Sequence, residues 1–311
     1  MLTLSDALAA YRFCAKAEGK SPKTLSWVTD AVHYFADFLG QDSTDLSSVN
    51  AWRLRQFIVA LQAKRAFSQH RFTKPQDRGL SPETICSYTR AIKSFFSFLN
   101  REELIPNNPM AKVKLPKVPI KVIATFTERQ LERLLSQPNK KTAIGYRDYT
   151  IMLTLLDTAA RLSELLNITL DDVDLEAGVL KVMGKGSKER YLPFGAKVTK
   201  ALLKYRLKYR PDTTCQGFFV TAAGQPLTKT RVEHMMRAYG QVANIKGVRC
   251  SPHTFRHTSS LGYLRNGGDP FSLQKKLGHS SLAMTRRYSN LTDSDVRAAH
   301  AKFGVADRLK V

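Results

Sequence analysis

The stretch Leu277-Gly278-His279-Ser280-Ser281-Leu282-Ala283-Met284-Thr285-Arg286-Arg287-Tyr288 puts a tyrosine nine residues after a histidine. Upstream of it runs His253-Thr254-Phe255-Arg256-His257. Earlier still come Thr158-Ala159-Ala160-Arg161-Leu162-Ser163-Glu164-Leu165 and Gly184-Lys185-Gly186-Ser187-Lys188-Glu189-Arg190. Each segment alone has a plain reading. Arg161 suits a helix end paired with Glu164, Lys185 a solvent-facing turn, and a single histidine or tyrosine a structural role. Arg161, Lys185, His253, Arg256, His279 and Tyr288, in this order, are a stronger signal than any one of them.

Charge supplies the context. The chain has 49 basic and 26 acidic residues, a formal net charge of +23, which points to a polyanionic partner. Lys and Arg release counterions condensed on nucleic acid, so binding of that kind weakens as salt rises. The excess is uneven: residues 1–112 carry 15 basic and 10 acidic side chains, residues 113–311 carry 34 and 16. Phosphate chemistry is therefore expected in the second part. The four cysteines (Cys14, Cys86, Cys215, Cys250) form no CxxC pair, so neither a zinc site nor a disulfide framework is expected. No apolar run approaches the roughly 18 residues of a membrane span. The start, Met1-Leu2-Thr3-Leu4-Ser5-Asp6, lacks the pattern of a secretory leader, and the expectation is a cytoplasmic, nucleoid-associated protein.

The first hundred residues read as helical. Leu25, Val28, Val32, Phe35 and Leu39 are spaced 3, 4, 3, 4, as are Ile85, Tyr88, Ile92, Phe95 and Leu99, which puts each set on one helix face. Ser21-Pro22 and Ser81-Pro82 supply a Ser N-cap followed by Pro at the first helical position. Leu4, Leu8, Tyr11 and Phe13 open an earlier helix, and Trp52, Leu54, Phe57, Ile58 and Leu61 mark a middle one. Their aromatic residues are expected in the core of a small orthogonal bundle. Residues 66–79 read as a basic loop skirting a DNA backbone.

From Pro106 to Lys121 there are four prolines, four lysines and no acid, the composition of an extended linker. Thr127-Glu128-Arg129-Gln130 then has capping-box spacing. Ile151 to Ile168 reads as helix, turn and helix. Val179–Met183 and Glu189–Pro193 flank a Gly-containing turn, which predicts a β-hairpin with Lys185 near its tip. Phe218-Phe219-Val220 is expected to be a further short strand, and helical patterns dominate after it.

A phosphodiester repels nucleophiles and has a poor alkoxide leaving group. Arginine neutralises non-bridging oxygens with a planar fork that keeps its charge. Tyrosine is a nucleophile whose phosphotyrosine product conserves bond energy for religation. A lysine or histidine protonates the leaving oxygen. The full GxxxxGK[ST] spacing of a nucleotide phosphate loop is absent around Lys185.

On these motifs the segment from Phe126 to about Leu291 resembles the catalytic domain of the tyrosine recombinase (phage integrase) family, including the Xer recombinases. The family's Thr-Gly-x-Arg-x-Ser-Glu-Leu motif is matched by Thr158 to Leu165, its Gly-Lys-Gly hairpin ahead of Lys-x-Arg by Lys185, and its His-x-x-Arg-His by His253, Arg256 and His257. Its Leu-Gly-His-x-Ser motif with the nucleophile nine residues after the histidine is matched by His279 and Tyr288. The first hundred residues resemble the family's core-binding domain.

The resemblance implies a mainly α fold with a small antiparallel β-sheet. A helical, SAM-like core-binding domain would span 1–112, a linker 113–125, an α+β catalytic domain 126–292 and a tail 293–311. It implies that Arg161 and Arg256 clamp the scissile phosphate, that His253 and His279 bond it and manage protons, that Lys185 protonates the leaving 5′ oxygen and that Tyr288 attacks. His257 and Glu164 would be supports. No metal or cofactor is implied. The partners implied are double-stranded DNA with an inverted-repeat core site and further copies of the chain, four in the synaptic complex. Val296, Ala299, His300 and Phe303 would pack the tail on a neighbouring protomer or on its own domain.

The chain departs from the pattern twice. Ala159 stands where the family usually has glycine, and the 66–79 loop is longer than in short Xer-like proteins. The loop favours integration, excision or transposition of a mobile element over chromosome or plasmid dimer resolution. A non-cleaving accessory factor and a type IB topoisomerase are the competing readings. A metal-dependent nuclease would need a carboxylate cluster, and the only dense acidic run (Asp171, Asp172, Asp174) reads as a solvated turn.

Overall fold

The computed structural model describes residues 2–40, 45–65, 77–119, 123–184, 189–278, 281, 297 and 300–302. The chain divides into two compact units, Met1–Lys121 and Val122–Val311.

The first unit is helical: α1 Leu4–Ala17, α2 Pro22–Leu39, a single 3-10 turn at Leu46–Ser48, α3 Ala51–Ala63 and α4 Pro82–Arg101. The two Ser-Pro starts act as the sequence predicts, Ser21 and Ser81 accepting from the Thr24 and Thr84 backbone N–H groups. Helix α2 ends at Gly40, whose φ of 87° is left-handed, a conformation glycine adopts without penalty. The apolar faces close on an aromatic centre. Tyr11 meets Phe95 and Phe98 edge-on, and Phe35 meets Phe57 and Phe96 likewise.

Two expected core aromatics are not there. Phe13 is 77% exposed and Trp52 66%. The cause is angular. The buried face of α1 is Leu4, Ala7, Leu8, Tyr11 and Ala15, and a residue two positions from Tyr11 is rotated about 200° away from it. Trp52 stands in the same relation to Leu54.

The second unit contains α5 Glu128–Ser136, α6 Ala143–Thr158, α7 Leu162–Asn167, β1 Val173–Asp174, β2 Val179–Met183, β3 Glu189–Pro193, α8 Ala196–Lys204 with a π-helical turn at Tyr205–Tyr209, α9 Lys229–Val242, α10 Pro252–Arg265 and α11 Pro270–Leu277. The sheet is antiparallel in the order β1-β2-β3, with Val182 opposite Arg190 and Leu180 opposite Leu192. The Thr127–Gln130 capping box forms at the start of α5.

Helix α6 is the central rod, packed against α10, α8, α5 and the π turn. Its buried threonines satisfy their hydroxyl donors within the helix: Thr150, Thr154 and Thr158 each bond a carbonyl four residues back, at 2.8, 2.8 and 2.6 Å. At its N-terminal half Arg147 and Asp148, both buried, pair at 2.6 Å.

Phe218-Phe219-Val220 is not a strand. Gly217 and Val220 make single bridges to Thr169 and Pro226. The carbonyls a ladder would use are taken, since the Arg210 guanidinium donates to those of Cys215, Gly217 and Phe218. Burial of three successive residues comes from chain crossing the core, not from a pleat. Asp172 and Asp174 serve turns, as expected: Asp172 accepts from the Thr169 N–H and hydroxyl, Asp174 from the Glu176 and Ala177 N–H groups.

Candidate active site

Helix α6 stops at Thr158, and Ala159 turns the chain in the left-handed region at φ 55°, ψ 22°. The Thr158 hydroxyl accepts the Ala160 N–H at 3.2 Å. Arg161 follows in extended geometry at the start of α7. Its backbone N–H donates to Glu164 Oε2 at 2.9 Å, and its Nη1 donates to Oε1 at 2.7 Å. The pairing that the sequence offers as an ordinary helix-end contact is therefore real.

Glu164 does more than hold Arg161. Its side chain is 4% exposed and accepts from both terminal guanidinium nitrogens of Arg190, Nη1 to Oε1 at 2.9 Å and Nη2 to Oε2 at 2.7 Å. Burial pushes the Glu164 carboxyl up. Hydrogen bonds from Arg190 and Arg161 outweigh it and hold the group below its ordinary value. Arg190 lies at the start of β3, the strand that leaves the hairpin turn, and its Nε reaches the Lys276 carbonyl at 3.3 Å.

Arg256, in the first turns of α10, is buried. Nη1 bonds the Ala159 carbonyl at 2.6 Å and Nη2 the Leu277 carbonyl at 2.7 Å. Two main-chain segments that belong to different motifs are thus tied by one guanidinium. His253 stands one turn earlier on α10 and is exposed, and His257 is half-buried. Lys276 adds a further tie, its Nζ bonding the Asp157 carbonyl at 2.9 Å and lying 5.2 Å from the Tyr263 ring centre. Helix α11 ends at Gly278, with φ 61°.

The structure brings together Arg161, Arg256 and the chain segment leading to His279. Lys185, His279 and Tyr288 lie outside the described residues, as do residues 66–76 of the basic loop and most of the tail. Among the described residues the Nε and Nη2 of Arg161 make no hydrogen bond, while its side chain is 33% exposed. A guanidinium anchored by one nitrogen and open at others is suited to an oxyanion. Arg190 and Lys276 are the contributors that sequence reading left without a task. The sole trace was Arg190 as the last residue of Lys-x-Arg.

Residues 124–295 match the Phage integrase family. The chain is 33% identical to the tyrosine recombinase XerD of Staphylococcus haemolyticus over 73% of its own length and 78% of the relative's. It is 31% identical to the tyrosine recombinase XerC of Bacillus pumilus over 90% of each chain. Among solved structures, the Tn1549 transposon integrase in complex with transposon right end DNA superposes with a TM-score of 0.76 at 21% identity, covering 97% of this chain and 99% of that one. The fold is that of these recombinases, and the chain belongs to the phage integrase family of tyrosine recombinases.

Proposed function

We propose that the chain is a site-specific DNA recombinase that cleaves and rejoins strands through a 3′-phosphotyrosine, without metal. The observation that carries the reading is the convergence of Arg161 and Arg256 on one turn, the second bonded to the carbonyl two residues before the first. Two cations anchored to the same turn suit the non-bridging oxygens of a phosphodiester. In the proposed step the Tyr288 phenol gives its proton to one of the two histidines, His253 or His279, as its oxygen bonds phosphorus. The bond to the 5′ oxygen breaks, and that oxygen takes a proton from Lys185. Arg161 and Arg256 hold the non-bridging oxygens, with His253 and His279 bonding the phosphate and handling protons. Religation is the same step reversed, with a 5′-hydroxyl as nucleophile.

The partner in this reading is double-stranded DNA with an inverted-repeat core site. Residues 1–112 form the core-binding domain, 113–125 the linker, 126–292 the catalytic domain and 293–311 a tail on a neighbouring protomer, with four protomers at synapsis. The protein works in the cytoplasm, on the nucleoid. The role is integration, excision or transposition of a mobile element, on the length of the 66–79 loop. A second reading, chromosome or plasmid dimer resolution, is favoured by relatives that are Xer recombinases at 31–33% identity.

The test is incubation with a nicked suicide DNA substrate in EDTA. Wild type yields a covalent protein–DNA adduct and Tyr288→Phe yields none. Metal dependence, or an adduct with the variant, overturns the proposal.

A further inference from the structure

We infer that Arg190 is a positioning residue for cleavage: it fixes the Glu164 carboxylate so that Arg161 is held ready for the phosphate. The inference rests on the reading above, in which Arg161 contacts the scissile group.

The geometry is a chain of directed contacts. Arg190 closes a two-point fork on Glu164, at 2.9 and 2.7 Å. The carboxylate so fixed receives the Arg161 side chain at 2.7 Å and the Arg161 backbone N–H at 2.9 Å. Both the side-chain and the main-chain position of Arg161 therefore depend on where that carboxylate stands. Burial does the rest. Glu164 is 4% exposed and Arg190 15%, whereas Arg161 is 33% exposed. The inner arginine is the anchor and the outer one is left for a ligand.

Two features show that the chain is built around the Arg190 side chain. A Cβ placed on Gly278 would come within 3.2 Å of its guanidinium, so residue 278 leaves room for it. Its Nε also bonds the Lys276 carbonyl, which ties β3 to the last turn of α11. Leu277, next in the chain, gives its carbonyl to Arg256. A lysine at 190 would have one ammonium in place of a fork and a third donor, so it cannot make the three contacts together.

The experiment compares wild type with Arg190→Lys, Arg190→Gln and Glu164→Gln on a suicide DNA substrate, reading DNA affinity, thermal midpoint and the rate of adduct formation. The rate is then repeated on a substrate with a neutral methylphosphonate at the scissile position, where an arginine has no charge to neutralise. The expected result is affinity within about twofold of wild type and a rate on the phosphodiester lower by ~10–100-fold, the scale of a misplaced catalytic group. The deficit shrinks on the methylphosphonate, as it does for Arg161→Ala. A structural defect alone would slow both substrates equally, and that outcome overturns the inference. Unchanged rates overturn it too. Should Arg190→Gln not fold, Arg190→Lys and Glu164→Gln carry the same comparison. Absence of an adduct with wild-type protein would instead count against the proposed function.

Discussion

Arg256 bonds the carbonyl of Ala159 across 97 residues of chain, at 2.6 Å. The acceptor belongs to a residue in left-handed geometry, two positions before Arg161. The turn that launches α7 is thereby held from the α10 side by a buried guanidinium. The family's usual glycine at this position would adopt the same φ freely, which makes the alanine informative.

Ala159→Gly is expected to leave stability within about 0.5 kcal/mol of wild type. Left-handed φ costs an alanine about 1–2 kcal/mol. Against that stand roughly 0.4–1 kcal/mol of extra unfolded-chain entropy for glycine and about 0.8 kcal/mol for a buried methyl. Ala159 is 1% exposed and packs with Leu273 and Leu277, so the methyl counts in full. Ala159→Val adds β-branching at the same φ and is expected to destabilise clearly. Urea unfolding of both variants decides; a Gly variant that shifts stability by much more than 0.5 kcal/mol in either direction contradicts the account.

Glu164→Ala is expected to cost about 3 kcal/mol, because it leaves Arg190 largely buried without its carboxylate. The pH dependence has a definite sign. Glu164 has a folded pKa below its ordinary 4.5, so its contribution is complete above that value and is lost as pH falls through the folded pKa. Wild type should therefore lose stability with acid more steeply than Glu164→Gln below about pH 4.5. Denaturant midpoints measured across that range would refute this if the two curves ran parallel.

The buried pair in α6 makes a separate prediction. Arg147 binds Asp148 through Nε and Nη2 and the Val220 carbonyl through Nη1, and the Tyr239 phenol donates to the far carboxylate oxygen at 3.1 Å. Burial and the Asp148 charge push that phenol up to about 12, so it remains a donor at working pH. Asp148→Ala removes the shared acceptor and should cost about 3–5 kcal/mol. Joint replacement of Arg147 and Asp148 by apolar residues of similar volume should cost much less than the single change. Calorimetric melts of the single and double variants supply the comparison.

Most of the fold was legible because it follows from local rules. The 3, 4, 3, 4 spacings became α2 and α4, and the Ser-Pro pairs became their caps. The hairpin formed where β-rich runs flank a glycine turn. What escaped depended on angle or on distance along the chain. Phe13 and Trp52 have core-like chemistry on the wrong side of their helices, and hydropathy alone does not carry that angle. Phe218–Val220 read as a strand because apolar content was visible and the competing donor, Arg210, was not. In the candidate site, motif spacing picked out Arg161 and Arg256 as candidates, and the Arg161–Glu164 pairing was legible because it spans three residues. The contact of Arg190 with Glu164 was hidden because it spans 26 residues and joins two motifs usually read apart.

The Glu164 fork also sets a charge stoichiometry. Among the described residues, two guanidiniums, Arg161 and Arg190, share the one carboxylate of Glu164. Two positive charges against one negative leave that trio with a net charge of plus one. In the proposed reaction a phosphodiester arrives with one negative charge, so Glu164 does not cancel the attraction of the trio for it: the carboxylate balances the inner arginine and leaves the charge of the outer one to the phosphate.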